Sequence, residues 1–216
     1  MFNSLINGLL FTIIPSVLVY RTLKVKLQKR NNNPTNSIRI LSTFHATISS
    51  GLSIAYLNNI ISQSNYIYTL PLVSSGFFLI DLAHITLYKR QYTRPILITY
   101  YIHHLISLIG LTYVSIYPYH LARAFLAELS TPFINLSWVL TRQGNKGIAY
   151  LFNGLVVLAL FTTIRVCNVV DLMYNCPDNP TLMYRCATFT FLVLNLAWLQ
   201  GLTRIYYTDL KQYLLK

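Results

Sequence analysis

Long charge-free apolar runs alternate with short basic clusters along the chain. A bilayer core about 30 Å thick needs roughly 20 apolar residues per spanning helix. Seven runs approach that length: about Phe2–Tyr20, Arg39–Leu57, Tyr66–Tyr88, Pro95–Tyr117, Tyr119–Leu140, Gly147–Val170 and Tyr184–Tyr206. The pattern predicts an all-α polytopic transmembrane bundle of about seven spans. Residues 1–37 hold the first span and a basic linker, 38–210 a six-span membrane domain, and 211–216 a short tail. The fourth and fifth runs, separated only around Pro118, are expected to form a tight antiparallel hairpin. The second run is the least hydrophobic and rich in Ser and Thr, so it is expected to face other helices rather than lipid.

Charge orients the spans. Arg21, Lys24, Lys26, Lys29, Arg30 and Arg39 sit in or beside the first linker, Lys89, Arg90 and Arg94 in the third, Arg142 and Lys146 in the fifth, and Lys211 and Lys216 in the tail. Arg123 and Arg185 lie near the opposite side. Basic loops stay cytoplasmic, which puts the amino terminus on the non-cytoplasmic side and the carboxyl terminus in the cytoplasm. The first run has its positive charge after the apolar stretch, the reverse of a cleaved signal peptide. Tyrosines at span ends, such as Tyr20, Tyr66, Tyr88, Tyr117 and Tyr206, read as interfacial belts.

Only 10% of residues are charged, with 17 Lys plus Arg against 5 Asp plus Glu. The net charge of +12 lies in loops between spans, the arrangement that meets anionic lipid headgroups. No nucleic-acid partner is expected, and membrane lipids are. Of the three cysteines, Cys176 and Cys186 flank a loop with Pro177 and Pro180 and form a candidate disulfide in an oxidising lumen. Cys167 is expected to be a small buried packing residue.

Ionisable groups inside a span cost several kcal/mol, so they face a cavity or a partner. The candidates are His45, Asp81, His84, His103, His104, Glu128 and Arg165, with Asn135, Asn153 and Asn195 as neutral polar groups. A rise of about 1.5 Å per residue puts His45, Asp81, His103, His104, Asn135 and Asn153 roughly 8–14 Å from the cytoplasmic end, with Glu128 deeper. That shared depth suggests one polar site. His45, His84, Asn135 and Asn153 would line it. Bland readings stand beside this one. Asp81 and His84 are spaced i, i+3 and satisfy each other on one helix face; His45 is interhelical glue; Arg165 snorkels to headgroups. His103 and His104 point about 100° apart on a helix, so at least one needs a partner across the bundle. A histidine near neutrality transfers protons and activates a hydroxyl or amine. This makes His103 and His104 candidate catalytic residues for acyl transfer, with Asp81 and Glu128 as candidate support.

The stretch Ala127-Glu128-Leu129-Ser130-Thr131-Pro132-Phe133-Ile134-Asn135-Leu136-Ser137-Trp138-Val139-Leu140, downstream of His103-His104, resembles the TLC domain. Ser42–Ala46 and Phe77–Asp81 resemble the small stand-alone members, and Asn153-Gly154 and Arg165 fit the segment that follows. The resemblance covers roughly residues 38–210. It implies an endoplasmic reticulum or related internal membrane, a helical bundle around a lipid-accessible cavity, and work on lipids. In ceramide synthases, which share the domain, the paired histidines catalyse N-acylation; His103 and His104 match them. The acidic motif that follows in the synthases is absent, and Glu128 and Ser130 stand in that region.

Three functions follow. The first is lipid handling (composition, sensing or transport) without established catalysis. The second is an acyltransferase using His103-His104, with acyl-CoA as co-substrate only under that reading and no cofactor otherwise. The third and lowest is a metal-dependent lipid hydrolase gathering His45, Asp81, His84 and His103 or His104 around zinc. Such sites generally need histidines on the last span, which has none, so no metal ligand set is expected. The sequence sets neither the lipid nor the oligomeric state.

Overall fold

The computed structural model describes residues 17–26 and 34–215, with no side-chain description for Pro34. The first expected span falls outside the described residues except for 17–20, as do Lys29, Arg30 and Lys216. The protein is all-α: no strand occurs among the described residues. Five helices there are long and apolar enough to cross a membrane: Thr35–Leu57, Gln63–Leu87, Arg94–Thr112, Ile148–Tyr174 and Leu182–Leu214. They coincide with the second, third, fourth, sixth and seventh runs. The chain divides into two compact units, Met1–Phe125 and Leu126–Lys216.

The first unit contains α1 (17–26), α2 (Pro34–Leu57), α3 (Gln63–Leu87), α4 (Arg94–Thr112) and α5 (Pro118–Phe125). α3 is central and packs on α2, α4 and α5. On α2 a stripe at near-helical spacing is buried: Ser37, Leu41, His45, Ala46, Ser49, Ser50 and Ser53. Its larger apolar residues, Ile40, Phe44, Ile48 and Ile54, point outward. In a bilayer the tails are as apolar as Leu, so close packing selects small residues for helix contacts. Ser53 and Tyr66 hydroxyls meet at 3.2 Å, tying α2 to α3. α2 stops where expected. Asn59 takes a left-handed φ of 57°, and the Ile60 N–H reaches back to the Ala55 carbonyl at 2.8 Å, a Schellman-type closure. α3 starts on the Ser62 side chain, which accepts from the Asn65 N–H.

Two expectations fail between residues 112 and 142. α4 ends at Thr112, and α5 packs on α2 and α3 rather than forming a hairpin with α4. The fifth run is also not one helix. It comprises α5, a 3₁₀ turn Leu126–Ser130, and α6 (Thr131–Arg142). Pro132, in the first turn of α6, explains the break: it lacks an N–H, and its ring collides with the carbonyl four residues back, that of Glu128.

The second unit continues with α6, α7 (Ile148–Leu160), a π-helical stretch Phe161–Cys167, α8 (Asn168–Tyr174) and α9 (Leu182–Leu214). α7, the π stretch and α8 form one continuous run, and all three pack on α9. The expected tail from Lys211 is helical as far as Leu214, because nothing after Tyr206 breaks the helix and Asp209 is anchored. Its carboxylate accepts from the Lys146 ammonium at 2.8 Å and from the Tyr150 hydroxyl at 2.7 Å.

Candidate functional site

In the first unit, α2 and α4 bring three imidazoles to the Phe77-Phe78 pair on α3. The His45 ring from α2 stacks on Phe77, with centroids 4.2 Å apart, and meets Phe78 edge-on at 5.1 Å. From α4, His104 lies 5.5 Å and His103 6.4 Å from Phe78, and the two histidines are 5.2 Å apart. His45, His103 and His104 therefore gather around one pair of rings, and Asp81 joins them through His104.

Two polar contacts organise the group. His104 Nε2 lies 2.8 Å from Asp81 Oδ2, and the side chains are 5% and 17% exposed. This is a short polar contact rather than a well-aligned hydrogen bond, and it is an ion pair only when the imidazole is protonated. His45 Nε2 lies 3.1 Å from Ser74 Oγ, both side chains fully buried. That contact joins α2 to α3 and favours the interhelical role for His45. The i, i+3 pairing of Asp81 with His84 does not form. Asp81 turns across to α4, while the His84 ring packs on Tyr88 at 4.6 Å. Tyr100 stacks on His104 and Tyr92 meets Tyr100 edge-on, extending the aromatic wall toward the basic loop. In that loop, burial raises the Tyr92 phenol above its ordinary range; Asp81 and Tyr100 push the same way and Arg39 opposes them.

The remaining sequence candidates belong to the second unit. Glu128 is buried on the 3₁₀ turn, and its carboxylate accepts the Thr131 hydroxyl at 3.1 Å. Asn135 is buried on α6. The Asn153 amide donates to the Phe133 carbonyl at 2.9 Å and to Ser137 Oγ at 2.6 Å. The Ser137 hydroxyl also meets the Tyr206 hydroxyl at 2.6 Å, so Asn153 belongs to a node joining α6, α7 and α9.

Arg165 does not snorkel. It sits on the π stretch, 6% exposed. Its Nε donates to Ser130 Oγ at 2.7 Å and its Nη2 to Thr131 Oγ1 at 3.1 Å, and its guanidinium lies 4.9 Å from the Phe161 ring. The wide π turn aims the side chain inward, where hydroxyls and a ring replace headgroups; such turns occur frequently at functional sites. The π turn also changes which carbonyls are served, and the Asn195 amide lies 3.5 Å from the Arg165 carbonyl.

Cys167 is exposed rather than packed inside, on the outward side of the π stretch. Cys176 and Cys186 are free and exposed. Among the described residues no group of three or more His, Cys, Asp or Glu is arranged to hold a metal ion. Ser74 and Ser137 were not singled out from the sequence, and Tyr206, read there as a belt tyrosine, is buried with its hydroxyl on Ser137. Hydroxyl residues are common in this chain, and only the fold reveals which ones meet a buried partner.

The TLC domain family model matches residues 36–207. The chain belongs to the TLC domain family. No significant match was found among curated proteins or solved structures. This TLC-domain protein is a multi-pass membrane protein by its family and its apolar helices. The matched region contains the His103-His104 pair, Asp81 and His45, the Glu128–Arg165 region and Asn153.

Proposed function

We propose that this TLC-domain protein handles lipids of an internal membrane such as the endoplasmic reticulum, binding them beside the His103-His104 pair. The reading is supported chiefly by the Asp81–His104 contact. A carboxylate and an imidazole 2.8 Å apart stand on helices whose outer faces are apolar. Keeping such groups in a span is expensive, and it marks a place where a polar part of a ligand is received. A ligand that reaches this depth through the bilayer is an amphiphile. The basic loops put this end of the bundle on the cytoplasmic side, with the carboxyl terminus there. Mass spectrometry of lipids retained by protein purified in mild detergent tests the reading. Wild-type protein is expected to keep a lipid class that His104→Ala and Asp81→Ala lose by about tenfold. Identical lipid profiles in all three proteins would refute it.

A second reading, acyl transfer, is favoured by the same contact. With Asp81 holding the Nε2 edge of His104, Nδ1 is the edge left to accept a proton; it has no hydrogen-bond partner among the described residues. His104 would take the proton from the hydroxyl or amine of the acceptor lipid. That oxygen or nitrogen then bonds to the thioester carbonyl carbon of an acyl-CoA, the C–S bond breaks, and the proton passes to the departing CoA thiolate. His103 is placed beside it to steady the developing oxyanion. Purified protein given acyl-CoA and a membrane lipid extract is then expected to release CoA and form acylated lipid in equal amounts. His104→Ala would cut the rate at least about 100-fold and Asp81→Asn less. Lipid retention with no CoA release in wild-type protein leaves only the first reading.

A further inference from the structure

One buried group in the first unit takes no part in the Asp81–His104 arrangement. His84 is fully buried, and neither ring nitrogen has a hydrogen-bond partner among the described residues. A neutral imidazole carries one N–H donor and one acceptor, and leaving either unmet away from water is costly. The ring is held by Tyr88 against one side. A second donor lies near enough to be felt there. Lys24 on α1 is half-buried and interacts electrostatically with both His84 and Asp81. α1 is seated there by Tyr20, which packs edge-on against Phe77 at 5.8 Å. The nearby carboxylate, Asp81, is engaged by His104. Arg39 and Tyr92 also act on this region electrostatically. An ammonium near an imidazole whose two ring nitrogens have no hydrogen-bond partner among the described residues makes a place for an anion.

Depth narrows the anion. His84 stands four residues before the Tyr88 C-cap of α3, roughly 6 Å along the axis from the helix end. That is the level where the hydrocarbon gives way to headgroups. Lysine recognises phosphate as a point charge, and a phosphate brings several acceptor oxygens for donors on two helices.

We propose that Lys24 and His84 form a binding site for a phosphate ester carried on an acyl chain, beside the Asp81–His104 pair. The proposal rests on the lipid-handling reading and names the headgroup chemistry of its ligand. A phospholipid headgroup and the phosphates of an acyl-CoA share that chemistry.

Full-length protein purified in uncharged detergent would be titrated with dioctanoyl phosphatidic acid, octanoyl-CoA, dioctanoylglycerol, octanoate and inorganic phosphate, with binding read by intrinsic tryptophan fluorescence. At least one phosphate-bearing amphiphile is expected to bind about tenfold more tightly than dioctanoylglycerol or octanoate. Whichever of phosphatidic acid and octanoyl-CoA is preferred identifies the source. Lys24→Ala and His84→Ala are each expected to remove most of the preference, and His84→Asn, which keeps a donor, to retain part of it. Lys211→Ala, on an exposed position of α9, should leave it intact. Unfolding temperatures measured without ligand identify any variant that fails to fold; for such a variant, Lys24→Gln or His84→Asn carries the test. Equal binding of phosphate-bearing and phosphate-free lipids, an equal loss in Lys211→Ala, or inorganic phosphate matching both amphiphiles would overturn the proposal. If phosphate preference is absent but dioctanoylglycerol binding is lost in His104→Ala, only this proposal fails and the lipid-handling reading stands.

Discussion

Replacing Arg165 by alanine is expected to lower the unfolding temperature of the detergent-solubilised protein by on the order of 10 °C. The guanidinium serves two hydroxyls, and each passes a hydrogen bond onward. Ser130 Oγ accepts from Arg165 and donates to the Ala127 carbonyl at 3.1 Å. Thr131 Oγ1 accepts from Arg165 and donates to the Glu128 carboxylate at 3.1 Å. The arginine thereby fastens the π stretch to the 3₁₀ turn that precedes Pro132. Two charge-assisted hydrogen bonds at about 1.5–3 kcal/mol each and a cation–π contact with Phe161 at about 0.5–2 kcal/mol are lost. Relief of the buried charge returns part of that, leaving about 3 kcal/mol net. Arg165→Lys should fall between wild type and Arg165→Ala, because a single ammonium cannot reproduce the planar fork that reaches Ser130 and Thr131 together. Thermal unfolding followed by near-ultraviolet circular dichroism checks this. An unfolding temperature for Arg165→Ala within a degree or two of wild type would show that the residue is not fastened there.

Gly154→Ala is expected to cost about 2–3 kcal/mol through overpacking. A Cβ at Gly154 would strike Tyr206 Cδ1 and lie 2.6 Å from Cε1. The Tyr206 ring is not free to swing aside, since its hydroxyl meets Ser137 at 2.6 Å and its neighbour Tyr150 packs at 5.6 Å between centroids. Making room therefore breaks the Ser137–Asn153–Tyr206 node or separates α7 from α9. The pair should couple. In Gly154→Ala combined with Tyr206→Leu, the added methyl has no ring to strike, and the double variant should be more stable than the sum of the single effects requires. Strict additivity in unfolding free energy would refute the close approach.

The apolar runs and basic loops were enough to determine an all-α, multi-pass membrane protein, because the length of a spanning helix and the cost of burying charge are properties of the bilayer. The Ser-rich character of the second run was likewise enough to predict its inward face. The stretches from His103-His104 to Leu140 were enough to point to the TLC domain. Tertiary structure decided what each polar residue meets. Depth along a helix is readable from residue number, but azimuth and neighbour are not. Asp81 is therefore equally placed by sequence to meet His84 or His104, and only the packing of α4 on α3 selects His104. The break at Pro132 and the π turn at Arg165 were invisible to hydropathy, which averages over a window longer than either feature. Those two local departures carry Arg165 inward to Ser130 and Thr131. Glu128, grouped by sequence with the histidine pair, belongs to that network on the second unit. Shared depth brought the right residues together only where helices also pack directly, as α2, α3 and α4 do through the Phe77-Phe78 pair.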